Sequence, residues 1–221
     1  MMRRPVSVVL SAALMTALSL LATPADTQAL AETTLAAEPA QAAPVPWTQR
    51  HQLSAMLGLT QWVLFRGGNV ALEYQWKRLA LEVSHGQGLD LNQVGGFALT
   101  SAERDAGAQI RVPWTTGFGV GFRITQNLHA LVELKAHHYE VTGQDSSVKI
   151  AYTTFSIGPG LFYTIPIYRG LFLQPNVRYW PNVGSTLSGN EVAIRQPDGT
   201  IYEHHTHDFG LFANVNLGYA F

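Results

Sequence analysis

Residues 128–142 read LHALVELKAHHYEVT, with Leu128, Ala130, Val132, Leu134 and Ala136 on one parity and His129, Glu133, Lys135 and His137 on the other. A period of two marks a strand, whose successive side chains point to opposite faces, whereas a helix groups its apolar residues three and four apart. The pattern recurs over 109–124, where Ile110, Val112, Trp114, Phe118, Val120, Phe122 and Ile124 alternate with Gln109, Arg111, Thr115, Gly117, Gly119, Gly121 and Arg123. It recurs again at the end of the chain, where Phe209, Leu211, Ala213, Val215, Leu217, Tyr219 and Phe221 share a face opposite Asp208, Gly210, Phe212, Asn214, Asn216, Gly218 and Ala220. Ordinary strands have about 5 to 6 residues. Alternation sustained for about 15 fits strands that cross a bilayer at a tilt and continue past its surface better than a secreted sandwich or a lipocalin-like barrel.

Composition narrows the choice further. Fourteen Lys and Arg against fifteen Asp and Glu, with only 13% charged residues, provide no basic surface for nucleic acid. The absence of cysteine excludes a disulfide framework, a thiolate metal site, a cysteine nucleophile and a lipid-modified N-terminal cysteine. A mean hydropathy of +0.05 is too low for a bundle of membrane helices.

The first residues form an export signal. Met1 to Arg4 give a positive start, Val8 to Leu21 are mostly apolar, and Ala29-Leu30-Ala31 has the small-x-small pattern of a cleavage site, so residues 1–31 are expected to be removed. Cleavage takes away Arg3, Arg4 and Asp26, leaving 12 basic and 14 acidic residues and a formal charge of −2. Residues 32–49 are Ala- and Pro-rich with too few large apolar groups to pack, and are expected to be a disordered tail. The folded domain is expected over 50–221.

An export signal, long alternating strands and a final strand ending Asn-Leu-Gly-Tyr-Ala-Phe resemble the small bacterial outer-membrane β-barrels of the OmpA, OmpX and OmpW kind. The resemblance implies an all-β, eight-stranded antiparallel up-and-down transmembrane barrel in a Gram-negative outer membrane. It also implies outer-membrane lipid and the barrel-assembly machinery as partners, the latter reading Val215, Leu217, Tyr219 and Phe221 as its assembly signal.

Turn residues divide the domain into eight strands, expected at 51–65, 70–76, 79–87, 108–124, 128–142, 148–167, 171–184 and 206–221. The second, fourth and sixth connections are short, and 86–107 and 185–205 are long, which matches short periplasmic turns and longer outer loops. In the last of these, Pro197-Asp198-Gly199 between β-prone runs predicts a hairpin ribbon. A rival register joins 70–85 into one bulged strand followed by 89–101, but turns Gln93 and Gly95 toward lipid.

In the preferred register Glu73, Glu82, Arg111, Arg123, Glu133, Lys135, Arg178 and Asp208 point into the barrel, four of each sign, as a lumen charge network. Glu73 and Glu82 face each other across the Lys77-Arg78 turn and require a cation between them, Arg178 or Lys135. Phe212, Trp180, Phe172 and Trp62 are expected to help fill the interior, and Trp76, Trp114, Tyr163, Tyr179 and Tyr219 to form interfacial girdles.

No metal, cofactor or catalytic site is assigned. Glu203, His204, His205, His207 and Asp208 invite a metal, but His204 and His205 are adjacent on a strand and point apart, so they read as polar loop residues. His138 and Glu140, near Ser146 and Ser147, lack the His-x-Ser pattern of lipid-trimming barrel enzymes. The expected role is non-enzymatic, structural or surface-interacting; the alternatives are a narrow channel for small solutes and, less favoured, a lipid-modifying enzyme.

Overall fold

The computed structural model describes residues 47–94, 99–143, 149–195, 199, 201–207 and 209–221. The export signal, residues 32–46 of the tail, Ser146, Ser147, the Pro197-Asp198 turn and Asp208 lie outside the described residues. Strands β1 (His51–Gly58), β2 (Gly68–Trp76), β3 (Leu79–Asp90), β4 (Gln109–Arg123), β5 (Leu128–Thr142) and β6 (Lys149–Tyr163) each pair antiparallel with the next. The sixth stave continues past Thr164 as β7 (Ile165–Tyr168), and the seventh, β8 (Leu171–Trp180), continues past Pro181 as β9 (Asn182–Ser185). A separate hairpin of β10 (Glu191–Arg195) and β11 (Ile201–His205) follows, and then the eighth stave, β12 (Gly210–Ala220). Because β12 pairs with both β8 and β1, and β8 with β6, the eight staves close an antiparallel up-and-down barrel, and closure leaves none of these staves as an open edge.

The seam between the sixth and seventh staves is interrupted. β6 meets β8 only through Gly160, Leu161 and Phe162, and meets β9 through Thr154 to Ser156. Between these patches Pro159 and Pro181 cannot donate to a ladder. The chains nevertheless stay close: a Cβ on Gly158 would stand 1.7 Å from the Tyr179 carbonyl oxygen, so only glycine fits there.

The first stave is shorter than its alternation predicts. The expected strand 51–65 ends at Gly58, and Leu59–Phe65 forms a short helix instead. The period of two stops here, because Trp62 to Phe65 is a continuous apolar run. Gln61 and Phe65, four apart, turn inward together. Trp62, expected in the lumen, is 65% exposed.

A second departure is more informative. The expected face of β4 breaks between Arg111 and Trp114, where the register against β5 shifts by a bulge. Trp114, Phe118, Val120 and Phe122 point outward, whereas Ile110 and Val112 are fully buried and Arg111 is exposed. Arg111 is therefore not a lumen residue. The neighbouring β3 switches at the same level, at Gly88, whose φ of +69° suits glycine, so that Leu89 points inward after Ser84 and Glu82 did. Phe209, expected on the outer face, precedes the strand and packs inward against Trp180 and Phe212.

Strand β5 makes the same change with no bulge. Near the short-turn end Val132 and Leu134 point out and Glu133 and Lys135 point in; near the long-loop end His138 and Glu140 lie on the outer parity, and Tyr139 and Val141 are buried. The barrel is thus apolar outside and polar inside over one half, and the reverse over the other. In the second half Phe65, Leu89, Leu91, Leu99, Ile110, Val112, Tyr139, Val141, Tyr152, Trp180, Ile194, Phe209 and Phe212 form one apolar core, shared by staves, loop 91–108 and the β10–β11 hairpin.

Candidate functional site

The lumen at mid-height is a layer of buried ionic side chains. Glu73 and Glu82 are cross-strand partners on β2 and β3, so their carboxylates are forced close. Each has its own partner. Glu73 Oε2 lies 2.8 Å from His129 Nε2, and Gln75 donates to Glu73 Oε1 at 2.5 Å. Glu82 Oε1 accepts from Arg178 Nη1 at 3.2 Å, and the same nitrogen donates to Glu133 Oε1 at 2.8 Å. Glu133 Oε2 accepts from the Trp180 indole at 3.1 Å, and Lys135 Nζ lies 3.7 Å from Glu133 Oε1 and donates to the Ser84 hydroxyl.

Planar groups pack against this layer. The Arg178 guanidinium sits 4.6 Å from the Phe162 ring centroid, and the Lys135 ammonium 5.1 Å from that of Trp180. Arg123 is buried lower, toward the short turns, and donates to the carbonyls of Trp47, Lys77 and Gln126. Below the charged layer a cavity of about 270 Å³ is lined by Arg50, Gln52, Glu73, Arg123 and Phe172 among others. Glu82, Glu133, Lys135, Gln174 and Arg178 are each at most 5% exposed, so their side chains pack into the lumen at this level.

A second cluster lies in the outer half. Thr100 caps the short helix Ser101–Asp105 with a capping box in which its hydroxyl accepts from the Glu103 N–H while Glu103 Oε2 accepts from the Thr100 N–H at 2.7 Å. That fixes the carboxylate, whose Oε1 lies 2.6 Å from His204 Nδ1 on β11. The other His204 nitrogen is 3.0 Å from the Tyr152 hydroxyl, which also accepts from the His207 N–H at 3.3 Å. The rings of His204 and His207 stand edge to face at 5.0 Å. Burial alone would raise the Glu103 carboxyl, but the hydrogen bonds with His204 and Thr100 outweigh it and hold it at about 2. Burial, reinforced by the neighbouring His204, pushes His207 down to about 4.

Of the residues considered for lipid chemistry, His138 and Glu140 each have other partners. His138 stacks on Trp114 at 5.4 Å and bonds Thr153, and Glu140 pairs with Lys149 at 2.9 Å. Val215, Leu217, Tyr219 and Phe221 share the outer face of the closing strand and its end, with Tyr219 and Phe221 exposed. Trp76, Tyr163 and Tyr219 are exposed toward the short-turn end, and Trp114 and Tyr179 farther up the staves.

The barrel is like those of outer-membrane proteins. A major outer membrane protein from Thermus thermophilus is similar over 77% of this chain and 98% of that one, with 13% identity and a TM-score of 0.42. The Yersinia pestis outer membrane protein Ail, solved in a phospholipid bilayer nanodisc, is similar over 78% of this chain and all of that one, with 15% identity and a TM-score of 0.38. No family model and no curated protein matches the sequence.

His129 and Glu103 were not among the ionic site residues expected from the sequence. His129 shares the inward parity of Glu133, which is the signal that places it in the lumen. Glu103 sits in a Gly-rich segment without periodicity, where only the Thr100 to Glu103 spacing marks a helix start.

Proposed function

We propose that this chain is a bacterial outer-membrane barrel with a structural or surface-presenting role and no catalytic one. One observation carries the reading: β4 directs Trp114, Phe118, Val120 and Phe122 outward below its bulge and Ile110 and Val112 inward above it. A wall in a single solvent has no reason to invert. A wall that passes from hydrocarbon to water must bury its apolar groups inward as soon as it leaves the lipid. The outward run from Phe122 to Trp114 spans nine residues, or about 20 Å of bilayer depth at an ordinary tilt, close to the apolar band of such barrels.

In this reading residues 1–31 export the chain, and outer-membrane lipid is the partner of the lower wall. Val215, Leu217, Tyr219 and Phe221 offer the assembly machinery its strand signal. The charge network serves stability and closure: the buried layer supports a plugged lumen over a channel for small solutes. Loop 91–108 and the β10–β11 hairpin form the surface presented outside. The engagement of His138 by Trp114 and of Glu140 by Lys149 supports a non-enzymatic role.

Residues 32–221 folded into detergent micelles are expected to run faster on SDS gels unboiled than boiled, and to add no conductance to planar bilayers. A chain that folds in plain buffer without a shift would overturn the membrane reading. Steady single-channel currents would replace the plugged lumen with a channel.

A further inference from the structure

We propose that Glu103, His204 and His207 form a binding site for one divalent transition-metal ion, with zinc the best match, which staples loop 91–108 to the returning end of the β10–β11 hairpin. Each of the three offers one ligand atom such that all lie within 4.8 Å of one another, and all three residues are buried. Two imidazoles and a carboxylate are borderline donors suited to zinc, with water in the fourth position. At bonds of about 2.0 to 2.2 Å two ligand atoms of a tetrahedral ion stand roughly 3.4 Å apart, so Glu103 Oε1 and His204 Nδ1, now 2.6 Å apart, open to admit the ion and His207 comes within the same reach of both.

Independent features of the cluster point the same way. His207 is 9% exposed, and its Nε2 is buried without a hydrogen-bond partner, a costly state for an imidazole nitrogen unless something else occupies it. His204 and Glu103 are already oriented from behind. The Tyr152 hydroxyl engages one ring nitrogen of His204, and the Thr100 N–H engages the far oxygen of Glu103, which leaves the near nitrogen and near oxygen facing each other. Partners of this kind set the tautomer and orientation of metal ligands. The three residues come from two segments far apart in the chain, so an ion here cross-links what hydrogen bonding between His204 and Glu103 now joins. His205, on the opposite side of β11, belongs instead to an exposed group with Glu191 and Glu203, which is the natural competitor for any added metal.

The test is equilibrium dialysis of zinc chloride against the full chain folded in detergent micelles, with folding checked by the gel shift. One equivalent is expected to bind, to be removed by a chelator, and to slow proteolysis within 99–108 and 201–207. His207→Ala is expected to weaken binding at least about tenfold, and His205→Ala to leave the tight site unchanged. Glu103→Gln, which keeps the shape of the side chain, serves if His207→Ala does not fold. No saturable binding to the unmodified chain, binding unaffected by both His207→Ala and Glu103→Gln, or binding abolished by His205→Ala would overturn the site.

Discussion

Arg178 and Glu133, 45 positions apart in sequence, meet at 2.8 Å in the middle of the barrel with both side chains almost wholly removed from solvent. The same guanidinium nitrogen reaches Glu82 at 3.2 Å, so one cation joins β8 to two carboxylates on β3 and β5, on other parts of the wall. Removing it strands two buried carboxylates. Arg178→Met is expected to lower stability by about 3 to 5 kcal/mol, and adding Glu133→Gln to recover part of the loss. Urea unfolding in micelles measures both, and an Arg178→Met barrel as stable as the parent would show that the layer does not depend on this pair.

The bulge in β4 makes opposite forecasts for two positions seven residues apart. Phe118→Lys places a charge on the lipid-facing wall and should cost about 2 to 4 kcal/mol in vesicles. Arg111→Ala, on the water side above the bulge, should stay within about 0.5 kcal/mol. Were the strand unbroken, Arg111 would be a lumen charge and its loss the more damaging one.

At the seam, Gly158→Val puts carbon atoms where the Tyr179 carbonyl already stands. Closure should fail, and the unboiled gel band should run as unfolded. Gly184→Val, on the adjoining β9 with nothing within 4 Å of its added Cβ, is the control and should fold.

Asp90 provides a pH test at the rim. Burial pushes its carboxyl up, but hydrogen bonds from Gln93 and Asn92 outweigh this and hold it below the usual range. A depressed carboxyl stabilises the fold fully above its ordinary value, near 3.9, and loses that contribution as pH falls below it. Protection of the Asn92 amide, whose N–H donates to Asp90 Oδ1 at 3.1 Å, measured against its intrinsic exchange rate, should therefore fall below about pH 4 in the parent and lose that dependence in Asp90→Asn.

The sequence by itself determined the strands except where the first stave gives way to the helix Leu59–Phe65, because parity is a local property. The run from Leu128 to Thr142 can be only a strand, and short turns such as Lys77-Arg78 fix which strands are neighbours. Parity also carried Glu73 and Glu82 to the same face, since nothing interrupts the ladder between them and their shared turn. It failed for Arg111, Ile110 and Val112, because a bulge at Pro113 reverses every side chain beyond it and alternation of apolar residues continues through the reversal. Only the closed barrel decided that Arg178 would serve Glu82 and Glu133, that His129 would serve Glu73, and that Glu103 would meet His204 across 101 positions. Those contacts run across the lumen or between separate loops. They depend on where the staves stand around the axis, and a period of two cannot encode that position.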